Sequence, residues 1–224
     1  MGCVRQRWHV LSASALSRLA VRLMEFNVHV ARFAHSSWLP DPSGRVDPRA
    51  EPRMSEWLLH ELDLDRAMDW EMSEPQKRLW LLDGPSLRRL AQELALAMHR
   101  EWLLQVIDGA RLRALKTSVD ERAMRFVIED VPAGQCHHRS PTVNLETDSS
   151  ADLGRKLEAS GARTLMALLQ PDWRAVRARA QLHFDRSQNL SDVTPLEGAH
   201  CDQALELIGT WLVPRRFPEW VWCF

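Results

Sequence analysis

The chain has 224 residues, 45% apolar and 26% charged, with 29 basic against 30 acidic side chains. That balance suits a globular chain with a real core and excludes disorder throughout. The near-neutral total also lacks the basic excess from which nucleic-acid binders draw much of their affinity, so no nucleic-acid partner is expected.

The first residues place Arg5 and Arg7 before a short apolar stretch, but His9 and several serines break it, and no export leader is expected. Gly2 and Cys3 suggest acylation, yet Gln6 stands where Ser or Thr is needed. Leu16, Leu19, Ala20, Leu23, Phe26, Val30 and Phe33 then recur at helical spacing and predict a helix over about 14–35. Pro40, Pro42, Pro48 and Pro52 mark 36–54 as a linker or ordered loop.

Helical patterning resumes at Ser55. Ser73, Pro75 and Gln76 read as a capped helix start, and Gly84-Pro85 as its stop. The longest stripe follows over 86–107, through Leu87, Leu90, Ala91, Leu94, Met98 and Trp102, and Gly109 breaks it. Ser118 with Glu121 reads as a capping box for a helix through Ala123, Phe126 and Val127. Residues 133–150 read as a loop, 152–169 as an amphipathic helix ended by Pro171, and 201–212 as a last helix ended by Pro214.

Around 178–195, Ala178, Ala180, Leu182 and Phe184 alternate with polar residues, so a short strand or hairpin competes with helix there. The expected class is all-α, an irregular helical bundle. As a single domain over 1–224, it carries an N-terminal helix over 14–35, the linker 36–54, a core over 55–213 and an aromatic tail over 214–224. Trp57, Trp80, Trp102 and Trp211 fall in helical patterns, where large core filler is expected. In the tail, Trp220, Val221, Trp222 and Phe224 must either fold back on the core or meet a partner.

Chemistry-bearing clusters are few. Cys136-His137-His138, with His200-Cys201 further on, offers zinc-type ligands, but adjacent residues rarely chelate one ion and no C-x-x-C or H-x-x-x-H pair exists. Cys3, Cys136, Cys201 and Cys223 have no close pairing, which favours a reducing compartment. Glu61, Asp63, Asp65, Asp69, Glu71 and Glu74 read as a solvated acidic face that could steer a basic partner. Arg88 and Arg89, and Arg111, Arg113, Arg122 and Arg125, are basic but interleaved with carboxylates. No nucleophile, metalloprotease or P-loop pattern occurs, and no run approaches the length of a membrane helix. No enzyme activity, cofactor, metal or direct membrane insertion is therefore expected.

The stretch Phe26-Asn27 to His35, then Ser37-Trp38-Leu39-Pro40, resembles the N-terminal signature of SctK/YscK-type proteins of bacterial type III secretion, with Hrp-type members looking most similar. The leucine-rich helix at Leu87 to Leu104, the helices from Leu112 to Val127, and Ser160-Gly161 to Leu169 followed by Pro171 and Trp173 agree with it. The resemblance implies a mostly helical, cytoplasmic adaptor, peripheral at the inner membrane through its partners. Those would be the cytoplasmic domain of an SctD-type ring protein and an SctQ-type pod subunit. Phe26, Asn27, His35, Trp38, Leu39 and Pro40 are its signature, as fold builders or contact residues; Trp220, Trp222 and Phe224 are separate contact candidates. The alternatives are a secretion chaperone or regulator holding one exported client, and a metal-assisted enzyme acting through Cys136, His137 and His138.

Overall fold

The computed structural model describes residues 13–41, 46–105, 109–132 and 150–224, and every regular element among them is helical. The first α-helices are α1 (Ala13–Asn27), α2 (Glu51–Glu61), α3 (Pro75–Arg78), α4 (Gly84–Met98) and α5 (Arg100–Gln105). They are followed by α6 (Gly109–Ser118), α7 (Glu121–Glu129), α8 (Ser150–Ala167), α9 (Arg174–Ala180), α10 (Gly198–Glu206) and α11 (Val213–Arg216). Short 3₁₀ turns join several of them.

The expected strand near 178–195 is absent among the described residues. α9 leads instead into 3₁₀ turns at Gln181–His183 and Arg186–Gln188. Ala180, Leu182 and Phe184 are all buried, but their alternation comes from a tightened helical turn followed by one extended residue.

The core is built around α4 and α8, which pack along most of their lengths. α4 buries Leu87, Leu90, Ala91 and Leu94 as its stripe predicts. Its start differs from the expected one: Asp83 caps the helix, accepting the Ser86 N–H at 2.7 Å. Pro85 occupies the first turn, where no N–H is needed, so Gly84-Pro85 opens this helix. On α8, Gly161 lies directly against the backbone of α4. A Cβ there would sit 1.7 Å from the Ala91 carbonyl oxygen, so only glycine permits this approach. One stretch earlier, Gly154 faces the Ser118 carbonyl, which also accepts from Gln92 Nε2 at 3.1 Å. The same glycine-bearing helix thus packs on both α4 and α6.

Other boundaries shift for local reasons. α1 stops at Asn27 rather than near residue 35, and the chain continues through 3₁₀ turns at Val30–Arg32 and Ser36–Trp38. The cap of α7 is Asp120, whose carboxylate accepts the Arg122 N–H at 3.0 Å; Ser118 instead ends α6. α3 begins after Glu74, with Pro75 in its first turn and no side-chain cap. Pro214 does not end the last helix, because a π turn over Leu207–Leu212 connects α10 to α11. The wider π ladder accommodates the ring and missing N–H of the proline. The aromatic tail folds back on the core: Trp220 and Cys223 are buried.

A buried carboxylate ties three of these elements together. Glu93 on α4 receives Arg216 Nε and Nη2, both at 2.9 Å, and Arg89 Nε at 3.0 Å. Arg216 Nη2 also reaches Asp120 at 3.0 Å, so one guanidinium joins α11 to α4 and to the cap of α7.

Replacing Gly161 by alanine is expected to destabilise the fold by about 1–3 kcal/mol or more, because the clash is with backbone. Gly209→Ala, where no atom lies within 4 Å of the added carbon, serves as the control. Urea unfolding should show a lowered midpoint for the first variant and none for the second.

Candidate interaction surface

Phe26 and Asn27 are buried, so they act within the fold. Phe26 belongs to the main core. Asn27 behaves as a surrogate peptide group: its Oδ1 accepts the Asp69 N–H at 2.9 Å, and its Nδ2 donates to the Asp69 carbonyl at 2.8 Å. It thereby pins the segment after α2 to the end of α1. Beneath it lies Arg179, fully buried, whose guanidinium donates to the Ala67 carbonyl at 2.6 Å and, at longer range, to the carbonyls of Ala175, Asn27 and Leu64. Burial lowers its pKa to about 10, with nearby Asp69 opposing, so it stays charged at neutral pH.

The second half of the signature is a clip between distant parts of the chain. The His35 N–H donates to the Leu182 carbonyl at 2.7 Å, and Trp38 Nε1 donates to the Phe184 carbonyl at 2.9 Å. Ser37 Oγ accepts the Arg186 N–H at 2.9 Å, and the Arg186 guanidinium stands 5.0 Å over the Trp38 ring. Leu39 packs on a small apolar cluster containing Val30, Ala31, Leu58 and Leu182, whereas Pro40 is exposed. Burial lowers the His35 pKa, with Asp185 opposing.

In the tail, the buried Trp220 donates from Nε1 to Ser86 Oγ at 3.3 Å and carries Arg22 over its ring at 4.9 Å. Trp222 stacks on it at 6.0 Å, and Phe224 packs partly buried against the main core. Between α1 and the start of α4 lies a cleft of about 160 Å³, lined by Arg22, Glu25, Phe26, Phe33, Trp80 and Pro85 among others. Trp80 forms its apolar wall with its indole N–H buried and unpaired. Behind Phe33 sits His183, its ring stacked at 4.2 Å. Burial, with the charge of Arg88, pushes this imidazole down to about 3, so it is neutral in the fold.

Of the four helical tryptophans, Trp80 is core, and Trp102 and Trp211 pack against it, but Trp57 is exposed on the outer side of α2. Its spacing from Leu58 and Leu59, both buried, was the signal that it faces the other way. Among the described residues no group of three His, Cys, Asp or Glu side chains is placed to hold a metal ion. Cys136, His137 and His138 lie outside the described residues. The partly buried Cys201 thiol is raised by burial and by Asp202. What the described surface offers is shape, charge and apolar area for contact.

Two substitutions probe this region. Trp38→Phe removes the bond to the Phe184 carbonyl and should cost about 0.5–1.5 kcal/mol in urea unfolding. If stability is unchanged while partner binding falls, the residue is a contact and not a clip. His183 gives a pH signature. The unfolded imidazole takes a proton near 6.5, while the folded one resists until about 3. Its contribution is therefore full above 6.5 and is lost as pH falls toward 3, at about 1.4 kcal/mol per pH unit. The stability difference between the native chain and His183→Gln should shrink between about pH 7 and 5; a constant difference would contradict the buried neutral state.

A family model described as YOP proteins translocation protein K (YscK) matches residues 20–208. No curated protein and no solved structure gives a match. The matched span runs from within α1 into the π turn after α10 and includes the signature, the α4–α8 crossing and Arg179. The chain therefore belongs to the YscK family, a family of type III secretion components.

Proposed function

We propose that this protein is an adaptor of the type III secretion sorting platform, of the Hrp type. It joins the cytoplasmic domain of an SctD-type inner-membrane ring protein to an SctQ-type pod subunit. The observation that carries this reading is the family match across residues 20–208. The physical character of the fold supports it. No helix among the described residues is long and apolar enough to cross a membrane; in this reading the protein meets the inner membrane through its partners.

The mechanism is simultaneous binding at two separate surfaces. Helices that cross backbone against backbone cannot slide without a clash, so the α4–α8 pair gives such an adaptor a rigid frame. No chemical step is required of the protein; it contributes placement, in the cytoplasm and at the membrane face through its partners.

Co-expression with the pod subunit and, separately, with the cytoplasmic domain of the ring protein tests this, using size-exclusion chromatography with light scattering. Co-elution with each, and a ternary complex when all three are mixed, is the expected outcome. A folded protein that ignores both, or that co-elutes instead with one exported client, overturns it in favour of a chaperone or regulator.

A further inference from the structure

Away from the cleft and the clips, one stretch of surface combines exposed aromatic side chains with excess negative charge. Residues 56–74 run along the outer side of α2, round its C-terminal turn and into the extended segment before α3. Trp57 is 41% exposed, Met68 48% and Trp70 48%. These are large values for side chains of this kind in a folded surface.

The three residues are not exposed through fraying, because the backbone beneath them is fixed. Asp63 takes the left-handed conformation (φ 55°), and the Leu64 N–H returns to the Leu59 carbonyl at 2.7 Å, so the chain doubles back on α2. His60, one helical turn beyond Trp57, reaches across this bend to Asp65 at 3.0 Å. Arg179 holds the Ala67 carbonyl, and Asn27 holds both backbone groups of Asp69. The Asp69 carboxylate is held by Lys77 at 2.8 Å. With Asp69 anchored inward, its neighbours Met68 and Trp70 are presented outward. The structure thus stabilises an arrangement that keeps apolar area in water.

The charge around them selects what could cover that area. Within 56–74 the exposed carboxylates are Glu56, Glu61, Asp63, Asp65, Glu71 and Glu74, against one exposed arginine, Arg66. Such a surface repels phosphate, which disfavours nucleic acid and anionic lipid as occupants. It attracts Lys and Arg, and an arginine can also stack on the open faces of Trp57 and Trp70. Aromatic anchors are enriched at interface centres, and polar residues at their edges.

We propose that residues 56–74 form a docking surface for a basic amphipathic segment of a partner protein. The partner's apolar side chains cover Trp57, Met68 and Trp70, and its Lys and Arg residues pair with the surrounding carboxylates. This deepens the adaptor reading, on which it rests, by assigning one of the two contacts to a surface and a chemistry.

The first probe is a synthetic helical peptide of about 18 residues with leucine on one face and arginine on the other. Titrated into the full chain, it should bind, and Trp57→Ser with Trp70→Ser should weaken it about tenfold. A second variant, Glu56→Lys with Glu61→Lys and Glu74→Lys, should weaken it and flatten the loss of affinity between about 50 and about 300 mM salt. All these side chains are exposed, and circular dichroism and the urea midpoint check that both variants fold. Equal binding of the peptide to all three proteins, or none to the native chain, overturns the surface. The same variants are then titrated with the pod subunit and with the ring-protein domain. A loss toward one of them supports the assignment, and undiminished affinity for both overturns it. If the native chain binds neither protein, the adaptor reading fails, while the peptide result still decides the surface.

Discussion

The close crossing of α4 and α8 at Ala91 and Gly161 is the constraint on which the remaining packing depends. Without a side chain at Gly161, the two helices meet backbone to backbone with no spacer. The leucines on either side, Leu87, Leu90 and Leu94 on one helix and Leu157 and Leu165 on the other, are then all fully buried. Burial of that kind contributes roughly 1.5–3 kcal/mol per side chain, which is lost in part if the helices are pushed apart. The elements that pack on this pair inherit its geometry: α6 through Gly154 and Gln92, and α7 and α11 through the Glu93 cluster.

Buried charge plays a distinct part. Glu93, Arg179 and Lys77 are all withdrawn from water, yet each is met by several partners. Arg216 is held above its ordinary pKa by Glu93, and the same guanidinium helps depress Asp120. Such groups add little net stability over a well-packed apolar core, because desolvation offsets the attraction. Their effect is on arrangement, since leaving any partner behind uncompensated is costly. Arg179 shows this most clearly, because its hydrogen bonds run to carbonyls of three different segments and fix where each must pass.

Much of this was legible in the sequence. The stripes of α4 and α8 and the helical class follow from apolar spacing alone. The resemblance to YscK-type proteins, read from Phe26-Asn27 and Ser37-Trp38-Leu39-Pro40, agrees with the family match. The illegible parts depend on residues far apart in the chain. Spacing around Arg179 gives no warning that a guanidinium can replace water with carbonyls from residues 27, 64 and 67. Gly84-Pro85 reads as a stop in the sequence, and the Asp83 cap makes it the start of α4 instead. Trp57 reads as core filler until the flanking Leu58 and Leu59 take the inner face. The signature residues carry no mark in the sequence that separates fold from contact, and their placement shows Phe26, Asn27 and Trp38 bonded or packed within the chain.

The signature clip has a bearing on how the protein is made. Trp38 and Phe184 are 146 positions apart, and Ser37 and Arg186 are 149. At about 5–20 residues per second, roughly 7–30 s of synthesis separate the two halves of each bond. During that interval the N-terminal segment has its tryptophan and apolar residues ready but no surface to close on. Closing the clip is thus a long-range event that waits on residues 182–186, with the fastenings at Arg216 and Trp220 later still, and until then the exposed apolar surface leaves the nascent chain prone to aggregate.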